Sequence, residues 1–248
     1  MARQCLFCPN PASSREHIWS DWILKDLKLA QPIHVRIGKH TDVWADNPEL
    51  RVNCVCRRCN NEWMGDLESL NKPHIRSMMH DEPIVLIPTQ QKLLARWAVL
   101  KAMLIEATNR KRTPFYGEAE RVGLKPPSAV LPAETFVWTG RFSRSGCHAG
   151  GTDIWNQINK IPKALHGCLT TIIVGHLAIQ VLTTHVFAMF AASRPSLECN
   201  AGAWDVNLLD IWPVFGARKW PPPVTFTLKG PNSIATLINK WKVGEDIG

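Results

Sequence analysis

Two Cys-x-x-Cys pairs are the residues of this chain whose type and spacing most clearly permit chemistry. Cys5 and Cys8 form the first pair, and Cys56 and Cys59 form the second. Two intervening residues let both thiolates of a pair face one ion from a tight turn. Two such pairs complete the tetrahedral sulfur shell that Zn²⁺ prefers. The spacing therefore predicts a structural zinc site with these four cysteines as ligands.

A disulfide framework is the main alternative use of the 8 cysteines. The N-terminal segment is polar and carries no apolar core, so we expect no secretory signal peptide. The other four cysteines are scattered singly along the chain: Cys54, Cys147, Cys168 and Cys199. This pattern is typical of a reducing compartment, and it predicts free thiols in a cytoplasmic protein.

A second set of polar residues lies between the cysteine pairs and directly after them. Glu16 precedes His17, and Asn60 follows the last cysteine. Carboxylate and carboxamide oxygens are hard ligands that suit Mg²⁺ or Mn²⁺. A neutral imidazole accepts a proton from water near pH 7. The set is suited to divalent-metal hydrolysis, although each residue alone also has a structural interpretation: a carboxylate in a helix cap, a core histidine and a capping asparagine.

At these residues the chain resembles the HNH endonucleases, the ββα-metal nucleases, in their zinc-stapled form. The resemblance rests on the segments CLFC, EHI, Asn53 and CRRCN, and it covers roughly residues 3–70. It implies that His17 is the general base and that Glu16 and Asn60 hold the divalent ion, with Asn61 as the alternative to Asn60. It also implies that Asn53 bonds to the backbone and holds the loop that carries His17.

The resemblance implies hydrolysis of phosphodiester bonds in nucleic acid, with DNA as the expected substrate, and a role in bacterial or phage defence among other DNA transactions. The chain departs from the family pattern at three points. His17 and Cys56 are 39 positions apart, Trp63 replaces a common lysine, and Trp19 replaces a common proline. The departures leave open a zinc-stapled adaptor or nucleic-acid-binding protein without turnover, and an RNase that uses the same site.

The elements that must position these residues can be predicted from periodicity. Residues 19–27 carry an apolar stripe with helical spacing, and residues 33–37 and 49–55 alternate like strands, which favours a hairpin between these two segments. Residues 57–67 are expected to form the helix after the second cysteine pair. The result would be a ββα unit around His17 and Asn60.

The length of 248 residues suggests two compact units in an α+β protein. We divide the chain into a zinc-stapled ββα-metal module at residues 1–75 and an α+β accessory or substrate-binding domain at residues 76–248. The second unit is predicted to contain a long amphipathic helix at 90–109 and strands at 136–142 and 224–228. A short helix is expected at 233–241.

Residues 168–190 are apolar enough to raise the possibility of a membrane-spanning helix. Gly175 and His176 near the centre, Gln180, His185 and many β-branched residues favour two buried strands joined by a turn instead. We therefore expect no membrane association.

The positive charge of the chain is concentrated in its middle. Residues 76–167 hold 13 Lys and Arg against 7 Asp and Glu, a net charge of +6 within the total of +8. Such a surface favours the phosphate backbone of nucleic acid. The expected contacts are Arg57, Arg58, Arg110, Lys111 and Arg112. A homodimer or a partner protein is also compatible with the sequence.

Overall fold

The structure is a computed structural model, and it describes most of the chain in eleven segments. These are residues 3–28, 33–37, 41–45, 51–108, 114–142, 147–155, 165–185, 198–199, 202–203, 208–223 and 225–226. The predicted helix at 233–241 lies outside the described residues, as do Arg110, Lys111 and Arg112. Of the strand predicted at 224–228, only residues 225–226 are described.

The described chain combines helices with mostly antiparallel strands, so the α+β class is confirmed. The helices are α1 Asp21–Asp26, α2 Arg57–Cys59, a π-helical segment Asn60–Met64, α3 Gly65–Met79, α4 Pro88–Glu106 and α5 Glu118–Gly123. The strands before α5 are β1 Ser14–His17, β2 Ile33–Ile37, β3 Thr41–Ala45, β4 Arg51–Val55 and β5 Ile84–Leu86. The later strands are β6 Thr135–Phe142, β7 Cys147–Trp155, β8 Leu165–Val174, β9 Leu177–Thr184, β10 Glu198–Cys199, β11 Gly202–Ala203, β12 Leu209–Trp212, β13 Arg218–Trp220 and β14 Thr225–Phe226.

The largest sheet has eight strands in the order β12-β6-β9-β8-β7-β2-β3, with β14 beside β6. Strands β8 and β9 form an antiparallel hairpin, as predicted for this apolar segment. Gly175 turns the chain between them with a φ of 58°, and a Cβ added there would clash with the Met79 carbonyl oxygen. A side chain at this turn would therefore be both strained and obstructed. No described helix has the length and apolar character needed to cross a membrane.

Helix α4 lies at the centre of the molecule. It begins and ends close to the predicted bounds, but it is not the amphipathic helix we expected. Almost every side chain between Leu94 and Glu106 is buried, because α3 packs on one side of α4 and strands β7, β9 and β12 pack on the other. Two charged side chains are enclosed with the apolar ones: Lys101 is 1% exposed and Glu106 is 8% exposed. The Glu106 carboxylate accepts hydrogen bonds from the amides of Phe115 and Tyr116.

Strands β1 and β4 form a two-stranded ribbon that is separate from the large sheet. Strand β1 pairs with β4, with Glu16 opposite Val52 and His17 opposite Arg51. The predicted hairpin between residues 33–37 and 49–55 is wrong, because β2 pairs with β3 and β7 in the large sheet. Alternation identified both segments as strands, but it does not specify a strand's partner.

The helical stretch after the second cysteine pair is longer than predicted. Segments α2, π and α3 follow one another from Arg57 to Met79, past Pro73. The π segment contains Glu62 at φ −92° and ψ −106°, where the helix kinks. With β1 and β4, this helical stretch forms a strand–strand–helix unit around His17 and Asn60, but its first strand is residues 14–17 and not the predicted 33–37.

One hydrophobic core links the described segments on both sides of residue 75. It runs from Phe7 and Trp19 through α4 to Ile211 and Trp220. Strand β2 also joins the large sheet of the later part by pairing in parallel with β7. The division of the chain at residue 75 stays a prediction, and the structure shows extensive contact across that position.

Candidate functional site

The four cysteines of the two Cys-x-x-Cys pairs meet in one cluster. Their sulfur atoms all lie within 4.8 Å of one another. The Sγ of Cys8 is 3.5 Å from that of Cys56 and 3.7 Å from that of Cys59. Four sulfurs bound to one zinc ion at about 2.3 Å are about 3.8 Å apart. The cluster therefore fits a metal ion such as zinc, as the spacing predicted.

Backbone amides at each turn hold the sulfurs of the cluster. The Phe7 amide donates to the Sγ of Cys5 at 3.5 Å, and the Cys59 amide donates to the Sγ of Cys56 at 3.4 Å. Burial raises the pKa of the Cys56 thiol, but the bonds from the Cys59 amide and from neighbouring thiols outweigh it and lower this pKa to about 7. A thiolate is the form that binds a metal. Burial is also the main cause of the raised pKa of Cys5.

Trp63 is buried against the first cysteine turn. The indole is 6% exposed and packs edge-on against Phe7, which lies between the first two cysteines, at a centroid distance of 5.1 Å. The guanidinium of Arg96 from α4 lies 5.5 Å from the same ring. Trp63 thus joins the cysteine turns to the core.

A cavity of about 470 Å³ is lined by β1, α1 and the helical stretch that directly follows Cys59. Glu16 and His17 enter it from β1, and Asn60 enters it from the π segment. These are the three residues that the sequence assigned to hydrolysis. The β1–β4 pairing and the helix after the second cysteine turn bring them together.

Asn60 is the first residue of the π segment, and its amide group has a fixed orientation. Its Nδ2 donates to the Ser14 hydroxyl at 2.8 Å, which leaves Oδ1 as the atom that can bind a cation. Asn60 is followed on the cavity wall by Met64, Glu68 and Lys72, each four residues after the one before. Glu68 and Lys72 share a face of α3, because residues four apart do so, and the kink at Glu62 separates that face from Asn60.

Glu16 and His17 have different surroundings although they are adjacent. The Glu16 residue is 7% exposed, and its Oε1 lies 3.4 Å from the Nζ of Lys101. His17 is half-buried, and its Nε2 is shielded from solvent and has no hydrogen-bond partner among the described residues. The carbonyl oxygen of His17 accepts a hydrogen bond from Lys101 at 3.0 Å.

Glu68 and Trp22 extend the polar wall of the cavity. The Trp22 Nε1 donates to Glu68 Oε1 at 2.8 Å, and Glu68 Oε2 lies 3.8 Å from the Nζ of Lys101. Asp21 adds a third carboxylate, and a hydrogen bond from Lys25 lowers its pKa. The cavity therefore offers three carboxylates and one carboxamide, a donor set suited to a hard divalent cation.

Two cations contribute to the cavity wall. The Nζ of Lys72 lies over the Trp22 ring, 5.2 Å from its centroid, and Arg15 lies on β1 next to Glu16. A positive charge beside a group of carboxylates can bind a phosphate whose neighbouring oxygens contact a metal.

Several residues named from the sequence lie outside the cavity wall. Asn53 is exposed on β4 opposite Arg15, and its backbone carbonyl accepts a hydrogen bond from Arg3. Asn61 is exposed, so Asn60 is the better match for the helix-borne ligand. Arg57 and Arg58 are exposed on α2, and Arg58 pairs with Glu62 at 3.2 Å.

Sequence reasoning missed Glu68, Lys72 and Lys101. A signal was present for each of them. Glu68 and Lys72 are four residues apart in the stretch that continues the helix predicted after Cys59, which places these two on one helix face. Lys101 stands within the apolar face of the predicted helix at 90–109, and a lysine there requires a buried partner.

Comparison with known proteins adds no relative to this description. The chain has no significant match to a family model, to a curated protein or to a solved structure.

Proposed function

We propose that this chain is a metal-dependent endonuclease of the HNH type that hydrolyses phosphodiester bonds in nucleic acid, with DNA as the preferred substrate. One observation carries the proposal: Glu16, His17 and Asn60 line a single cavity, and Asn60 directly follows the cluster residue Cys59 in the chain. The resemblance required this proximity, and the sequence separation of 43 positions between His17 and Asn60 did not ensure it.

The four cysteines hold a structural zinc ion in this proposal. Tetrahedral thiolate sites of this kind stabilise small folds. Here the ion fastens the turn before β1 to the turn after β4. The ribbon that carries His17 and the helix that carries Asn60 are thereby fixed relative to each other.

His17 takes a proton from the attacking water. Because Nε2 is shielded from solvent, we assign Nδ1 to this proton transfer. Glu16 and Asn60 would hold Mg²⁺ or Mn²⁺, since Lys101 engages only Oε1 of Glu16 and Ser14 engages only Nδ2 of Asn60 in the contacts described above. A bound divalent ion supplies positive charge next to a phosphoryl oxygen and the leaving oxygen.

Lys72 and Arg15 position the phosphate backbone at the cavity. The lysine that the family often carries on this helix is replaced by Trp63, whose ring is buried against Phe7. Lys72 lies on the same helical stretch and reaches the cavity wall. We assign it the phosphate contact that position 63 does not make here.

Cleavage of a substrate panel tests the proposal. Purified full-length protein is incubated with plasmid, linear duplex DNA, single-stranded DNA and RNA, with Mg²⁺, with Mn²⁺ and with neither. We expect cleavage of DNA only when the divalent ion is added. Cleavage of RNA but not DNA would show that the substrate is RNA and that the protein is an RNase with the same site.

The variant His17→Ala separates catalysis from folding, and Glu16→Gln tests the metal ligand with the unfolding temperature recorded, because Lys101 loses its charged partner there. Both are expected to retain zinc and to lose cleavage, while His17→Ala still binds nucleic acid. Cys54→Ala is the matched control, because Cys54 is buried on β4 but lies outside the metal cluster. Equal cleavage by wild type and His17→Ala would contradict the assignment of His17.

A zinc-stapled binding protein without turnover is the second candidate. The observation that favours it is the ion pair between Glu16 and the buried Lys101, which already engages one oxygen of the proposed metal ligand. This candidate predicts zinc-dependent nucleic-acid binding, no cleavage under any metal condition, and full function in His17→Ala.

A further inference from the structure

Lys101 brings a buried positive charge to the residues that line the cavity. Its Nζ donates to the His17 carbonyl oxygen at 3.0 Å and to Glu16 Oε1 at 3.4 Å. Glu68 Oε2 lies 3.8 Å from the same atom. The ammonium group thus donates two hydrogen bonds and has a second carboxylate within ion-pair distance. The side chain is 1% exposed, which leaves almost no contact with solvent.

We propose that Lys101 is a positioning residue that fixes the Glu16–His17 pair and at the same time limits the affinity of the cavity for its divalent ion. The inference rests on the proposed nuclease function. It adds to the site a residue of α4, which lies beyond the segment of roughly residues 3–70 that resembles the HNH family.

The positioning effect follows from burial. A buried charge without a partner is strongly unfavourable, so the Lys101 ammonium and the Glu16 carboxylate hold each other in place. The bond to the His17 carbonyl oxygen fixes the backbone at the end of β1, from which the imidazole projects. The Nζ atom of Lys101 thus restricts the positions of both Glu16 and His17.

The effect on metal affinity follows from charge. Glu16, Glu68 and Lys101 together carry two negative charges and one positive charge, so an entering cation meets less net attraction than two free carboxylates would provide. A cation held by Glu16 would share that carboxylate with the ammonium group, and like charges repel. Lys101 therefore weakens metal binding while it improves the placement of the reacting groups.

The test compares full-length wild type with Lys101→Met and Lys92→Met. Methionine has about the volume of lysine and no charge. Lys92 is exposed on the same helix and is absent from the cavity wall, so it provides the matched control. Mn²⁺ binding is measured from the electron paramagnetic resonance signal of free Mn²⁺, and cleavage is measured at saturating Mn²⁺. Zinc content and the unfolding temperature are recorded for each protein.

For Lys101→Met we expect Mn²⁺ to bind about tenfold more tightly than to wild type, since a nearby like charge has been removed. We expect kcat to fall about 100-fold, since the acid–histidine pair is no longer held. Lys92→Met should match wild type in both. This opposite movement of metal affinity and kcat would not arise from local unfolding, which weakens both.

Unchanged or weaker Mn²⁺ binding by a folded, zinc-loaded Lys101→Met would overturn the inference. If that variant loses zinc or its unfolding transition, Lys101→Gln replaces it, because glutamine removes the charge but retains a donor for the His17 carbonyl. Tighter Mn²⁺ binding is again expected, with a smaller fall in kcat.

If wild type binds Mn²⁺ but cleaves nothing, the nuclease proposal fails, and the affinity comparison still decides the role of Lys101. Absence of Mn²⁺ binding by wild type would overturn both.

Discussion

The cysteine cluster and the neighbouring cavity are assembled in different ways, although Cys59 and Asn60 are adjacent in the chain. The cluster uses two short turns, and each turn holds its own sulfurs through local amides. The cavity depends on a ribbon, on α1 and on a long helical stretch, and its Glu16 is paired with Lys101 from α4. Each cysteine pair is thus arranged by local sequence and the β1–β4 ribbon brings the two pairs together, whereas the cavity depends on packing that reaches as far as α4.

This difference predicts that damage to the two sites has different consequences. Loss of a cluster ligand should unfold the surrounding turns, and the cavity should be lost with them. Loss of a cavity residue outside the Glu16–Lys101 ion pair should leave the cluster intact and affect only chemistry or binding.

The largest expected effect is that of Cys59→Ser. Structural zinc contributes on the order of 10 kcal/mol of binding free energy to small metal-stabilised folds, so we expect loss of zinc and of the cooperative unfolding of the N-terminal part. Zinc per chain and thermal unfolding are the measurements. Cys54→Ala should keep its zinc and cost about 1 kcal/mol of unfolding free energy. Wild-type stability in zinc-free Cys59→Ser would show that the cluster has no structural role.

The next largest effect is that of His17→Ala on catalysis. Removing a general base typically lowers the rate by about 10²- to 10⁴-fold. Zinc content and unfolding temperature should stay at wild-type values, because His17 lies outside the cluster. Cleavage of a DNA duplex with Mn²⁺ is the measurement. If His17→Ala lost zinc as well as activity, the cysteine cluster and the cavity would not be independent sites.

A smaller effect is expected for Lys72→Ala at the cavity wall. Losing one phosphate contact should weaken nucleic-acid binding to a similar extent for all sequences and reduce the slope of log K against log salt by about 1. Binding of a labelled DNA is measured over a salt series with His17→Ala as the common background, so that cleavage does not interfere. Lys92→Ala should leave the slope unchanged. Equal slopes for both variants would remove Lys72 from the proposed interface.

The smallest effect concerns the contact between α1 and α3. Hydrogen bonds from His80 at 2.9 Å and Arg76 at 3.0 Å lower the pKa of Asp26. A carboxyl whose pKa is lower in the folded state stabilises the fold above its unfolded pKa of about 3.9, and this stabilisation is lost as the pH falls through the folded value.

Asp26→Asn should therefore lower the free energy of unfolding by roughly 0.5–1 kcal/mol at pH 7, as partly exposed ion pairs do. The difference from wild type should vanish in acid, below the folded pKa. Urea unfolding at several pH values measures it, with the exposed Asp66→Asn on α3 as control. A difference that persists in strong acid would mean that Asp26 contributes through packing instead.

The same contrast between local and tertiary assembly explains what the sequence could predict. The zinc-type spacing of four cysteines, the helix at α4 and the β8–β9 hairpin all follow from local patterns, and each is present. The partner of β4 was predicted wrongly, because alternation does not distinguish β1 from β2 as a neighbour.

The candidate site was predicted only in part for a related reason. Glu16, His17 and Asn60 stand close to the cysteines in sequence, and the structure places them in one cavity. Lys101 is 84 positions from His17, and only the packing of α4 brings its ammonium group to that residue. Its position in an apolar helix face showed that it needed a buried partner, but not which carboxylates would provide one.

The central claim is that the chain holds two metal ions of different chemistry side by side. Anomalous diffraction from crystals soaked in Mn²⁺, collected at the zinc and manganese edges, tests it most directly. We expect a zinc peak about 2.3 Å from each of the four cysteine sulfurs and a separate manganese peak in the cavity, bound by oxygens of Glu16 and Asn60. A zinc peak without any manganese in the cavity would contradict the catalytic half of the account and favour a zinc-stapled binding protein.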